Sequence, residues 1–342
     1  MAKKKKIFIT IFIIGLIVVG AIAGTGWYYL LSPQFHPTKT AYLYIDRDDT
    51  MDSVYTKLQK VGNADDLTGF RLLVKYKKMN VRTGRYAINR NDNARTVFNR
   101  LSGGLQSPVN VTVPSVRTWD KMARAISNQL MIDSAEIASR LYDSEYISKL
   151  GYDKESLYCL FIPNTYEVYW NISADDLLER MQREHEHFWN KDRIAKANAL
   201  NMTIEQICTV ASIVDEETND SAEKPTVAGL YLNRVMRGMP LQADPTVKFA
   251  LGDFEIRRVT NRDLEIDSPY NTYKYAGLPP GPIRIPSIKA IDSVLDPGRH
   301  NYLYMCAKED FSGSHNFATT LAEHMRNARK YQQALNQRKI FR

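Results

Sequence analysis

Apolar and polar positions follow different rhythms along this chain. From Ile7 to Leu31 the residues are almost unbroken hydrocarbon and aromatic side chains, directly behind Lys3 to Lys6. At about 1.5 Å per residue a helix over this run crosses a hydrocarbon core of about 30 Å. The pattern predicts a transmembrane helix at 7–31 with a cytoplasmic tail at 1–6, and the bulk of the chain outside the cytoplasm, because positive flanks stay inside. Ala21-Ile22-Ala23 looks like a cleavage site, so a removed signal peptide is the competing reading. Trp27-Tyr28-Tyr29-Leu30-Leu31 continues the apolar character past that site as an interfacial aromatic anchor, which favours retention. Gly20 and Gly24 have helix-dimerisation spacing, a weak signal in membrane helices.

After a linker at 32–40, containing Pro33 and Pro37, a strand-then-helix rhythm appears three times. Ala41 to Ile45 leads to Thr50 to Leu58, Tyr86 to Ile88 to Asn93 to Leu101, and Val109 to Val113 to Thr118 to Leu130. Each helix opens on a polar residue and continues with apolar ones at helical spacing. Leu177 to Ala199 reads as one long charged helix with Glu184-His185-Glu186-His187 on a solvated face. Asp292 to Phe317 reads as a hairpin, with a strand at Tyr302 to Met305 and His315 beyond a turn, before a last helix. Length and pattern together indicate an α+β fold with a small and a larger domain.

Thr203 and Gln206 have capping-box spacing, and Ile204, Ile207, Cys208, Ala211 and Val214 then recur along one helical face. This helix ends in Asp215-Glu216-Glu217. At about 100° per residue Asp215 falls within the apolar face, Glu217 on its flank, and Glu216 points away, as a solvated carboxylate. A partly desolvated carboxyl at the negative end of a helix dipole has its pKa raised on both counts, which makes a general acid. Ion pairing to a neighbouring loop is the plainer alternative, and position alone does not choose between Asp215 and Glu217.

Downstream come Leu232-Asn233-Arg234, Leu241-Gln242-Ala243-Asp244-Pro245-Thr246, Tyr270-Asn271-Thr272-Tyr273 and Gly277-Leu278-Pro279-Pro280-Gly281-Pro282-Ile283. With the Ser212-Ile213-Val214-Asp215-Glu216-Glu217 helix end, these segments resemble, in order and spacing, the endolytic murein transglycosylases of the MltG or YceG-like family. The resemblance runs from the membrane anchor to His315-Asn316-Phe317. It implies that Glu217, third of the three acids, is catalytic, while Asp215 replaces the family's usual first glutamate. It supplies Asn233, Gln242, Asp244, Thr246, Asn271, Thr272 and Tyr273 as candidates for substrate binding. Asp244-Pro245-Thr246 read without it is equally a capped turn, and Tyr273 equally a core residue. At Tyr158 to Tyr166 the family's Pro-x-Thr-Tyr frame survives but its two acids do not, so Tyr158 and Asn164 receive no chemistry. The resemblance also implies a LysM-like subdomain at 41–108, either glycan-binding or a structural platform, and a YceG-like catalytic domain at 109–342.

The implied reaction needs one carboxyl. Ordinary glycosidases use two, whereas N-acetylmuramic acid carries an internal nucleophile, its C6 hydroxyl. Asp215 and Glu217, two apart on a helix, do not face each other as a glycosidase pair. A hydrolytic muramidase and a noncatalytic wall-binding scaffold are the rival readings. No cofactor is expected, and no metal, since His185 and His187 and then His300, His315 and His324 lack ligand spacing. The net charge is +8, of which Lys3 to Lys6 supply four, so little basic charge remains for nucleic acid. A mildly basic surface suits an anionic wall polymer. Three cysteines make no disulfide framework, and Cys208 reads as a core residue. The expected partners are peptidoglycan strands and, by resemblance, glycan polymerases and transpeptidases.

Overall fold

The computed structural model describes residues 2–64, 66–256 and 258–338. The outermost parts of the expected cytoplasmic tail and catalytic domain, residue 1 and residues 339–342, lie outside these. Two compact units result: one holds 1–111 with 129–131 and 167–172, the other 112–128, 132–166 and 173–342.

The first unit begins with α1 (Ala2–Leu30). Within residues 3–30 of it the most apolar 18-residue stretch has a mean hydropathy of 2.8, and the helix is long and apolar enough to cross a membrane. β1 (Ala41–Ile45), α2 (Met51–Gly62), α3 (Thr68–Lys77), β2 (Gly84–Ile88) and α4 (Ala94–Ser102) follow. β1 and β2 pair antiparallel, with Leu43 opposite Tyr86 and Ile45 opposite Gly84. Strand alternation turns Leu43, Ile45, Tyr86 and Ile88 inward, onto Phe35, Val54, Leu58, Phe70, Val97 and Leu101. The helices start where the sequence placed their caps: the side chains of Thr50 and Asn93 accept from the N–H groups of Ser53 and Thr96.

β3 (Val109–Thr112) leads to the second unit, where α5 (Trp119–Ser127) opens on the Thr118 cap. α6 (Ser134–Tyr142), α7 (Ser144–Lys149), β4 (Thr165–Val168), α8 (Ala174–Phe188) and α9 (Lys191–Ala199) come next. The single helix expected over 177–199 is therefore two. Asn190 breaks it by capping α9, its side chain accepting from the Arg193 N–H, while Trp189 turns into the core. Nor is the Glu184-to-His187 face wholly solvated. His185 sits half-buried against the Tyr152 hydroxyl at 3.4 Å, and burial lowers its pKa to about 4.

The core of this unit forms around α10 (Ile204–Glu217) and α11 (Lys224–Met236), with Ile207, Cys208, Val210, Ala211, Val214, Val227, Ala228 and Tyr231 buried. The predicted capping box is present: Thr203 accepts from the Gln206 N–H at 3.3 Å and the Gln206 side chain accepts from the Thr203 N–H at 3.0 Å. α12 (Asp244–Leu251) and α13 (Ile288–Leu295) pack beside them. The chain closes with the antiparallel hairpin β5 (Tyr304–Ala307) and β6 (His315–Ala318), Ala307 opposite His315, and with α14 (Leu321–Gln337).

Candidate active site

α10 ends on three acids with three different fates. Asp215 is buried and ion-paired to Lys224, itself buried at the start of α11. Its oxygens also accept from the N–H of Ser287 at 2.5 Å and from the Ser287 hydroxyl at 2.8 Å. Since Ser287 caps α13, Asp215 ties three helices together. Glu216 is gripped by both arms of the Arg117 guanidinium, and Arg284 donates to the same carboxylate at 2.9 Å. Its side chain is only 7% exposed, so the expectation of a solvated carboxylate is corrected. A helical wheel sees one helix, whereas the arginines come from segments far away along the chain. Ser212 adds to the grip, its hydroxyl accepting from the Ile283 N–H at 3.0 Å.

Among the described residues no cation pairs with Glu217. It borders a polar cavity of about 250 Å³, and the Tyr231 hydroxyl donates to its Oε1 at 2.8 Å. Burial pushes the Glu217 carboxyl up to about 7, and the charges of Asp244 and Glu216 act in the same direction, while the Tyr231 hydrogen bond and His315 hold it back. Asp244 faces the same cavity from the first turn of α12 and accepts from the Tyr273 hydroxyl at 2.5 Å. Gln242, held at a positive φ of 50°, places its side-chain carbonyl 3.3 Å from Arg234. The Arg234 guanidinium is itself buried, donating to the carbonyls of Leu303 at 2.6 Å and Leu241 at 2.8 Å. His315 completes the wall from β6, its Nδ1 2.7 Å from Glu223, which also accepts from the Thr218 hydroxyl at 3.1 Å. The result is one carboxyl poised to hold or release a proton near neutrality, in a concave site lined with groups that hydrogen-bond hydroxyls and amides.

Residues 43–330 match the model of the YceG-like family. The chain belongs to that family. It is 28% identical over 327 residues to the endolytic murein transglycosylase of Bacillus subtilis, covering 90% of each chain. It is 25% identical to the endolytic murein transglycosylase of Streptococcus pneumoniae, covering 95% of this chain and 65% of that protein's length. A crystal structure of a YceG-like protein from Listeria monocytogenes superposes with a TM-score of 0.56 at 25% identity, covering 84% of this chain and 99% of that one.

Of the residues that the family resemblance supplied, Gln242, Asp244 and Tyr273 meet Glu217 at the cavity. Four others fasten the surrounding chain. Asn233 donates to the carbonyls of His300 and Tyr302 at 2.9 and 3.1 Å and borders a separate cavity. Asn271, fully buried, donates to the carbonyls of Leu264 and Ile266. The hydroxyls of Thr246 and Thr272 bond to each other at 2.8 Å, and Thr272 accepts from the Ala243 N–H, which fixes the start of α12 and so aims Asp244. Tyr270 packs on Phe249, away from the acid. Tyr158 stacks on Trp119 and donates to the Arg117 carbonyl, so it steadies the arginine that holds Glu216. Sequence reasoning missed Tyr231 and Arg234 as cavity-lining residues, and gave His315 a structural hydrogen bond ahead of a place bordering the groove, whereas it lines the cavity. Tyr231 lies about two helical turns into α11 at about 3.6 residues per turn, with no local mark to separate it from a core tyrosine.

Removing one partner from the buried Asp215–Lys224 pair strands a charge, so Asp215→Asn is expected to lower stability by about 3 kcal/mol or more in urea unfolding. The double variant Asp215→Leu/Lys224→Met, which strands none, is expected to recover a large part of that loss.

Proposed function

We propose that this YceG-like protein is a membrane-anchored lytic transglycosylase that cuts within peptidoglycan glycan strands, with Glu217 as acid and then base. The observation that carries this reading is the Glu217 carboxyl, raised to about 7 and facing a polar cavity, with a phenol as its hydrogen-bond partner among the described residues. Its curated relatives, named endolytic murein transglycosylases, support it.

Protonated Glu217 donates its proton to the glycosidic oxygen between N-acetylmuramic acid and N-acetylglucosamine, and the bond to the anomeric carbon breaks as positive charge develops on the sugar ring. The Asp244 carboxylate, fixed by Tyr273, stabilises that charge across the cavity. Glu217, now ionised and steadied by Tyr231, accepts the C6 hydroxyl proton as that oxygen closes onto the anomeric carbon. The nucleophile is part of the substrate, with an effective molarity of about 10⁵ M or more, and no water is consumed. The products are a 1,6-anhydro end and a free N-acetylglucosamine hydroxyl. Gln242 and His315 are suited to hold sugar amides and hydroxyls. α1 serves as a single-pass anchor with its N-terminus in the cytoplasm and the catalytic domain outside. The residues at 41–108 form a LysM-like subdomain. Anchored there, the enzyme meets nascent strands and ends their elongation alongside glycan polymerases and transpeptidases.

One observation favours a second reading. Asp244 places another carboxylate in the Glu217 cavity, as a hydrolytic muramidase would require to activate water. Mass analysis of digested strands separates the two, because anhydro products are lighter than hydrolytic ones by one water. Glu217→Gln is expected to lose about 10³-fold in cutting rate while still binding strands. Unchanged cutting by this variant, or reducing ends from the wild type, would reject the mechanism.

The pH profile supplies a separate check. Glu217 must start protonated, so activity is present below its pKa of about 7 and falls as pH rises through it. Asp244→Asn removes a negative neighbour and is expected to move that alkaline limb to lower pH. Tyr231→Phe removes the bond that favours the ionised form and is expected to move it to higher pH. Initial rates on isolated strands across pH read both shifts.

A further inference from the structure

The join between α1 and the first unit is hydrogen-bonded throughout. The Leu31 and Ser32 N–H groups return to the Trp27 carbonyl at 2.9 Å, the Ser32 hydroxyl and the Gln34 amide donate to the Tyr28 carbonyl, and the Gln34 N–H donates to the Asp92 carbonyl at 3.0 Å. Phe35, next in line, is fully buried in the core of the unit. α3 meets this join with bare backbone. A Cβ on Gly69 would fall 1.7 Å from the Tyr29 carbonyl oxygen, so only glycine permits the approach.

α3 carries two apolar stripes. Phe70 and Val74 face the core. Gly69, Leu72 and Tyr76, at helical i, i+3, i+7 spacing, face the end of α1 instead, and Leu73 touches both that cavity and the core. Leu72 is 41% exposed and Tyr76 78% exposed. Between them and Thr25, Gly26, Tyr29 and Leu30 lies a cavity of about 210 Å³ with apolar walls. Lys75, Lys77 and Lys78 stand exposed around the stripe, and α3 contains no acidic residue.

Depth fixes what this face meets. About 20 residues cross a hydrocarbon core, so a span starting at Ile7 leaves it near Gly26 and sets Trp27 to Leu30 among the headgroups. The cavity joins that same level of α1 to Leu72 and Tyr76. An apolar stripe ending in tyrosine and flanked by lysines, at headgroup depth, matches a lipid interface in shape and in charge.

We propose that α3 is a second membrane contact, with Leu72 and Tyr76 entering the headgroup layer beside α1 and Lys75, Lys77 and Lys78 facing the phosphates of anionic phospholipids. The proposal rests on the retained-anchor reading of α1.

The full chain carrying Cys306→Ser, reconstituted in vesicles of phosphatidylcholine and phosphatidylglycerol, tests it; Cys159 and Cys208 are buried and escape labelling. An environment-sensitive fluorophore is placed in turn at Val18→Cys, Tyr76→Cys and Lys60→Cys, and nitroxide-bearing lipids serve as quenchers. Quenching at positions 18 and 76 but not at the α2 position 60 is the expected result. Adding Lys75→Glu, Lys77→Glu and Lys78→Glu is expected to remove most of the quenching at 76. Quenching at 18 with none at 76 overturns the proposal alone, and energy transfer between copies labelled at 76 would assign the face to a second copy of the chain instead. Absence of quenching at 18 overturns the anchor reading and the proposal with it.

Discussion

Charge neutralisation at the end of α10 organises the second unit of this protein. A buried carboxylate costs several kcal/mol unless a cation or several donors meet it, and the helix dipole makes a C-terminal acid costlier still. Asp215 and Glu216 are met in full, by Lys224 with the Ser287 cap and by Arg117 with Arg284. The segment from Ile283 to Ser287 is thereby pinned along the helix, and α13 is launched from it. With the cations used one and two residues earlier, Glu217 is left a phenol and a cavity. A neutral donor offsets less of the desolvation than a cation does, so the proton stays on at a pH where ordinary glutamates have lost it. Structure and the proposed chemistry are two outcomes of one arrangement: the pairs that hold this unit together also leave the third acid without a cation among the described residues.

Local signals in the chain were legible, and signals that depend on a partner far away were not. Thr50, Asn93, Thr118 and Thr203 mark helix starts because a cap acts within three residues of itself. The wheel put Asp215 among apolar neighbours for the same reason, since helical geometry is local. Glu216 was misread because Arg117 and Arg284 stand 99 and 68 residues away. Asn190 stops a helix without glycine or proline, and only the burial of Trp189 explains why the chain turns there rather than running on. At the cavity the difficulty was chemical. Asn233, Asn271, Thr246 and Thr272 carry the amides and hydroxyls that would suit a sugar, but the same groups satisfy buried carbonyls and helix starts. Composition does not separate these roles; only the direction of each side chain does.

The proposed mechanism asks one group, Glu217, to give a proton and then take one, a constraint that a pair of carboxyls avoids. A strong acid would donate readily but recover the second proton poorly, and a weak one would do the reverse. A value near 7 balances the two at neutral pH, and the cavity reaches it through opposing influences: burial and Asp244 raise it, Tyr231 and His315 lower it. In the proposed mechanism Asp244 contributes at both stages, favouring the proton on Glu217 before cleavage and the developing positive charge during it. On the same proposal Tyr231 acts in the complementary phase, stabilising the carboxylate that waits for the C6 hydroxyl. The Glu223–His315 and Thr246–Thr272 contacts matter because they hold these groups in place. A displacement of Asp244 or Tyr231 would alter the balance even with Glu217 untouched.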